Sequence, residues 1–225
     1  MCAAKNPKEP DQLLFLFCYT LFVKNLFFGV GGVVIFLAGL YFFWPEAAIT
    51  NYPSDGTTVV AFGDSLVEGV GATEGNDFVS LVSQEIGEPI INLGVSGNTT
   101  ELGLARLDEV LAKNPKIVIL LLGGNDFIRR IPRATTESNL KVMIERIQAQ
   151  GAIVLLLGVR GGILRDGFDA MYEDLSETYS TAYVPDVLDG LFGDSTLMAD
   201  GIHPNDAGYK IIAERVAEEL KPLLK

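Results

Sequence analysis

Residues 57–225 are predicted to form an α/β domain, a five-stranded parallel sheet with helices on both faces, on three observations. Apolar runs of strand length recur along this stretch. Segments with helical periodicity separate them. The runs are almost continuously apolar rather than alternating, and a strand of that kind is covered on both sides, as in a parallel sheet between two helix layers.

In chain order, TTVVAF (57–62) is the first strand. DFVSLVSQEI (77–86) is the first helix, and Gly87 stops it. IINLG (90–94) is the second strand, followed by TELGLARLDEVLAK (100–113), a helix with Leu102, Leu104, Leu107, Val110 and Leu111 on one side. KIVILLLG (116–123) is the third strand, and ESNLKVMIERIQAQ (137–150) a helix stopped by Gly151. AIVLLLGV (152–159) is the fourth strand, and FDAMYEDLSETY (168–179) the next helix. TAYVPDVL (181–188) is the least regular strand, and DAGYKIIAERVAEELK (206–221) the last helix. No internal repeat or low-complexity tract interrupts this order.

The segment before the domain has a different character. Leu26–Trp44 (LFFGVGGVVIFLAGLYFFW) carries no charge, and at about 1.5 Å rise per residue it matches the hydrocarbon thickness of a bilayer. Tyr41, Phe42, Phe43 and Trp44 cluster at one end as an interfacial belt would. One N-terminal transmembrane helix is expected, uncleaved, because Trp44-Pro45-Glu46 rather than small residues follow it. The expected organisation is a cytoplasmic or interfacial segment (1–25), an anchor (26–44), a linker with two prolines (45–56) and the domain (57–225). Lys5, Lys8 and Lys24 precede the span and the next cation is Arg106. That asymmetry puts the N-terminus in the cytoplasm and the domain on the periplasmic or extracellular side.

The formal net charge is −12, and because residues 1–50 balance to zero, all of it falls on residues 51–225. So acidic a domain repels a polyphosphate chain, so nucleic acid is not an expected partner. Cys2 and Cys18 both lie outside the domain, which excludes a disulfide framework or a CxxC metal site within it.

In a parallel α/β sheet, ligands bind at the carboxyl ends of the strands. The residues just past those ends are Gly63-Asp64-Ser65, Asn92 to Thr99, Gly123-Gly124-Asn125-Asp126 and Arg160-Gly161-Gly162, while His203, the only histidine, lies just before the last helix. Histidine titrates near neutral pH and is the usual general base. Asp200 lies three residues earlier, with Gly201 permitting a tight turn. A carboxylate there can accept from one imidazole nitrogen and leave the other facing Ser65, activating a poor nucleophile. The Asn125 amide can donate to a developing oxyanion, and the Gly94 N–H can reach the same point. A second GDS triplet, Gly193-Asp194-Ser195, follows no apolar strand and reads as a turn.

Four blocks, FGDSL (62–66), NLGVSGNT (92–99), GGND (123–126) and DGIHP (200–204), make residues 57–224 resemble an SGNH-hydrolase (GDSL-type) esterase. The bacterial thioesterase/lysophospholipase/arylesterase subgroup is the most similar, and TELGLARLDEVL fits it too. The resemblance implies a flavodoxin-like three-layer α/β/α sandwich. It implies Ser65 as nucleophile, Asp200 and His203 as acid and base, and the Ser65 N–H, Gly94 and Asn125 as the oxyanion hole. The expected activity is hydrolysis of a small-molecule or lipid carboxylic ester or thioester through an acyl-enzyme, without cofactor or metal. An O-acyltransferase and a carbohydrate deacetylase of the cell envelope are alternatives built on the same triad. A metal phosphoesterase using Asp64, Asp126, Asp200 and His203 is a third, although such sites usually need several histidines. Ile128, Ile131, Ile163, Leu164 and Phe168 are candidates for an acyl groove. Arg129, Arg130, Arg133, Arg160 and Arg165 fall in the same two loops, as contacts for an anionic headgroup or as a solvated rim.

Overall fold

Val59 and Ala61 face one side of the sheet, Val60 and Phe62 the other, and all four are completely buried. That arrangement is why the strands read as unbroken apolar runs. The computed structural model describes residues 48–159 and 167–225. Five strands, β1 (Thr58–Gly63), β2 (Ile90–Gly94), β3 (Pro115–Leu121), β4 (Ile153–Leu157) and β5 (Ala182–Val184), pair in parallel in the order β2-β1-β3-β4-β5. Val59, Ala61, Ile119 and Leu155 pack under α2 (Phe78–Ile86) and α8 (Asp206–Leu220). Val60, Phe62, Val118 and Leu156 pack under α4 (Leu107–Leu111), α6 (Arg133–Ala149) and α7 (Phe168–Tyr179). The result is the three-layer, doubly wound sheet expected from the sequence. Its order reverses between β1 and β3, and the crevice at their carboxyl ends is where such folds bind ligands.

Four elements differ from the sequence expectation. Two short helices, α1 (Ser65–Glu68) and α5 (Gly124–Ile128), follow β1 and β3 directly. The helix expected over 100–113 is two, α3 (Thr100–Ala105) and α4, broken at Arg106, whose φ of −113° and ψ of 13° leave the helical region. Strand β5 ends at Val184, because Pro185 and an Asx turn, with Leu188 N donating to Asp186 Oδ1 at 3.0 Å, lead the chain away from the sheet.

The expected linker is also partly domain. The compact unit that holds the sheet takes in the described residues from Ala48 on. Thr50 donates from N to Ser180 O at 2.9 Å and from Oγ1 to Tyr179 O at 3.0 Å. Asn51 Nδ2 donates to Gln148 O at 2.8 Å and Ala152 O at 3.0 Å, and Ser54 Oγ to Gly151 O at 2.7 Å. These acceptors are carbonyls at or just past the carboxyl ends of α6 and α7. Residues 50–54 therefore strap the amino-terminal edge of the sheet, opposite the site. The expected anchor, Leu26–Trp44, lies outside the described residues, as do Arg160, Ile163, Leu164 and Arg165. Among the described residues no helix is long and apolar enough to cross a membrane.

Candidate active site

Strand β1 delivers Gly63 into a turn in which Asp64, not Ser65, caps α1 by accepting from Leu66 N at 3.0 Å. The Ser65 hydroxyl is thereby left free. It donates to His203 Nε2 at 3.1 Å. On the other side of the ring, His203 Nδ1 lies 2.8 Å from Asp200 Oδ2. A carboxylate only accepts, so the shared proton sits on Nδ1 and the Nε2 lone pair faces Ser65.

The loop that carries this pair is short and self-bonded. Asp200 Oδ1 accepts from Ile202 N and His203 N, both at 2.8 Å. The His203 hydrogen bond, with those two amides, holds the Asp200 carboxyl down at about 2, well below its usual range. Past Pro204, Asn205 Oδ1 caps α8 by accepting from Ala207 N and Gly208 N at 2.9 and 3.1 Å. On the opposite side, Gly71 at φ +96° lets its turn approach: a Cβ there would lie 2.4 Å from Pro204 O. The chemistry available is removal of the Ser65 proton by an imidazole that a carboxylate orients and stabilises once charged.

Asn125, at the start of α5, reaches the same place from β3. Its Nδ2 donates to Asn98 O at 3.0 Å and to Asp64 Oδ2 at 3.3 Å, so both amide hydrogens have partners in the empty site. Asp64 is almost fully buried, and that burial pushes its carboxyl up to about 6 against the hydrogen bonds from Leu66 N and Asn125. Gly94 is a correction. Its N–H donates to Asn92 Oδ1 at 2.9 Å, which removes it from the expected oxyanion hole. In the same loop Gly97, at φ +76°, has an N–H without a partner among the described residues.

A cleft of about 220 Å³ opens beside these groups. Asp64, Ser65, Asn125 and His203 supply its polar atoms, and Phe127, Val159, Phe168 and Leu188 are among its apolar walls. Ile128, Phe192 and Ile202 line it while remaining exposed to solvent. Ile128 and Phe168 were expected there. Ile131 does not line the cleft, and Ile163 and Leu164 lie outside the described residues. Leu188, Phe192 and Ile202 escaped the sequence reading because they come from irregular loops without periodicity. Arg129 and Arg133 are loop staples, with Arg129 Nη2 donating to Gly97 O at 2.8 Å and Arg133 Nη1 to Gly167 O at 3.1 Å.

The metal alternative loses two of its members. Asp126 is fully buried and accepts from Thr100 N at 2.8 Å, Thr100 Oγ1 at 2.6 Å and Thr136 Oγ1 at 3.2 Å. Asp200 is committed to His203. Among the described residues no cluster of three or more His, Cys, Asp or Glu side chains could hold a metal ion. Ser195 is exposed in a turn in which Asp194 Oδ1 accepts from Thr196 N at 2.9 Å.

Comparison with known proteins decides the family. The sequence profile of the GDSL-like lipase/acylhydrolase family matches residues 61–211, which include every block around this site. The chain belongs to the GDSL-like lipase/acylhydrolase family. It is similar to esterase TesA of Pseudomonas aeruginosa, with 35% identity over 74% of this chain and 89% of the relative. It is 30% identical to thioesterase 1/protease 1/lysophospholipase L1 of Escherichia coli, over 74% of this chain and 85% of that protein. A crystal structure of TesA superposes with a TM-score of 0.70 at 35% identity, covering 74% of this chain and 99% of the other. As a member of the GDSL-like family, the protein is a carboxylic ester hydrolase of the SGNH type.

Proposed function

We propose that Ser65, His203 and Asp200 perform this hydrolysis as a triad through an acyl-enzyme, on esters or thioesters with an apolar acyl group. The observation that carries the assignment is the continuous relay from Asp200 Oδ2 through the imidazole to Ser65 Oγ, with contacts of 2.8 and 3.1 Å. His203 takes the Ser65 proton as Oγ attacks the carbonyl, and Asp200 stabilises the imidazolium. The negative oxygen of the tetrahedral intermediate is met by the Ser65 N–H and Asn125 Nδ2, with the unpaired Gly97 N–H in place of Gly94. Because both Asn125 hydrogens are occupied beforehand, the oxyanion competes with Asp64 Oδ2, the more distant of the two acceptors. His203 then gives its proton to the leaving oxygen or sulfur, and the same base activates water to release the acid. The apolar walls of the cleft support an acyl chain, in keeping with relatives named for esterase, thioesterase and lysophospholipase activity.

Attachment to a membrane through Leu26–Trp44 is part of this proposal. Its support is the uncharged run and the three lysines before it. The hydrolase unit is then periplasmic or extracellular and the N-terminus cytoplasmic. Protease added to intact spheroplasts would degrade an exported hydrolase domain, whereas protection until the membrane is broken would contradict export.

Comparing Ser65→Ala with Ser195→Ala in hydrolysis of p-nitrophenyl esters tests the triad. Loss of turnover in the first and near-wild-type turnover in the second is expected; the reverse pattern would refute the assignment.

A further inference from the structure

We propose that Arg106 is a positioning residue that fixes the spacing between the nucleophile turn and the oxyanion amide. Its Nη2 donates to Gly63 O at 2.8 Å, and its Nε donates to Asn98 Oδ1 at 2.7 Å. Gly63 is the last residue of β1 before Asp64 and Ser65. Asn98 carries the carbonyl that holds Asn125 Nδ2 at 3.0 Å. One planar group therefore bonds the strand end that presents the nucleophile and the residue that orients the oxyanion donor. Gly63 O also accepts from Val95 N at 3.1 Å, which ties the same strand end to the loop bearing Asn98.

The guanidinium is itself held in place. Its Cζ lies 4.3 Å from the ring centroid of Phe62, a fully buried residue of β1. The break between α3 and α4 falls at Arg106, whose non-helical backbone marks the point where its side chain bonds to β1 and the Asn98 loop. Arg106 does not line the cleft, so it acts through Gly63 and Asn98 rather than on substrate. Lysine, a point charge without a rigid fork, cannot make both bonds and the ring contact from one position.

The inference rests on the roles proposed for Ser65 and Asn125, and full-length protein with a soluble short-chain p-nitrophenyl ester tests it, below the Tm of each variant. Arg106→Lys is expected to lower kcat by about 10- to 100-fold, the cost of small misplacements at a distance from the chemistry, with KM within about twofold of wild type. Asn98→Ala cuts only the Nε bond and leaves the Asn98 carbonyl, so kcat is expected to fall in the same direction by less; it decides the matter alone if Arg106→Lys does not fold. Methylguanidinium is expected to restore part of the kcat of Arg106→Ala. A lowered Tm with kcat within about twofold of wild type in both substitutions would make Arg106 merely structural and overturn the proposal. A raised KM at unchanged kcat would make it a substrate contact and overturn it equally. Turnover retained by Ser65→Ala in the same assay would instead place the failure in the triad.

Discussion

Two carboxylates beside the nucleophile are shifted in opposite directions, and each makes a different prediction for pH. Asp64 is raised to about 6 by burial, so the folded state binds the extra proton. Its contribution to stability is fully present below the unfolded value of 3.8 and is lost as pH rises through about 6. Thermal melts should therefore show wild type gaining stability relative to Asp64→Asn between pH 7.5 and 4.5; a constant difference would contradict an ionisable, buried Asp64. Asp200, exposed and held at about 2 by His203, has the opposite sign: its contribution is present above 3.8 and lost as pH falls through about 2. Asn125→Ala is expected to lower kcat by about 10²–10³-fold, the usual cost of one oxyanion donor, and a kcat within about twofold of wild type would remove Asn125 from the oxyanion hole. At this scale the hydrogen-bonded grouping of Ser65, His203 and Asp200 was legible, since all three occupy recognisable blocks. Gly94 was not: an N–H shows its partner only in three dimensions, and here the Asn92 side chain takes it.

The turn from β3 into α5 decides whether Asn125 is presented at all. Gly123 sits at φ +122°, and a Cβ on it would lie 2.2 Å from the Tyr172 hydroxyl, which donates to Leu122 O at 2.7 Å. Gly123→Ala combines that clash with backbone strain of about 1–3 kcal/mol, so a clear fall in Tm is expected, larger than for Tyr172→Phe. Asp126 joins α3, α5 and α6 by accepting from Thr100 and Thr136 in a fully buried position. Asp126→Ala strands those donors and is expected to cost about 3–5 kcal/mol in urea unfolding, while EDTA leaves the wild-type rate unchanged; loss of activity in EDTA and recovery with zinc would restore a metal role. The long helices α6 and α8 were legible to within a few residues, since each buries a stripe at helical spacing. The four- and five-residue helices α1 and α5 are too short for any period to show. The break at Arg106 also left no pattern, because Leu104, Leu107 and Leu111 keep helical spacing across it.

For the molecule as a whole, alternation of apolar runs and helical periods was enough to place the site, because doubly wound sheets gather ligand groups at the crevice where strand order reverses. Here that crevice lies between β1, which supplies Ser65, and β3, which supplies Asn125. The walls of the cleft were less legible, since Leu188, Phe192 and Ile202 belong to loops whose path depends on the finished fold. The strap at residues 50–54 was read as linker for the same reason: its bonds go to helix ends about a hundred residues away in sequence. The central claim is that one serine of two in GDS triplets, the one at the end of β1, is the nucleophile. Reacting the full-length protein with a fluorophosphonate probe and mapping the adduct by peptide mass spectrometry tests it most directly. The account predicts a single adduct on Ser65, abolished by His203→Ala, whereas an adduct on Ser195, or labelling indifferent to His203, would contradict it.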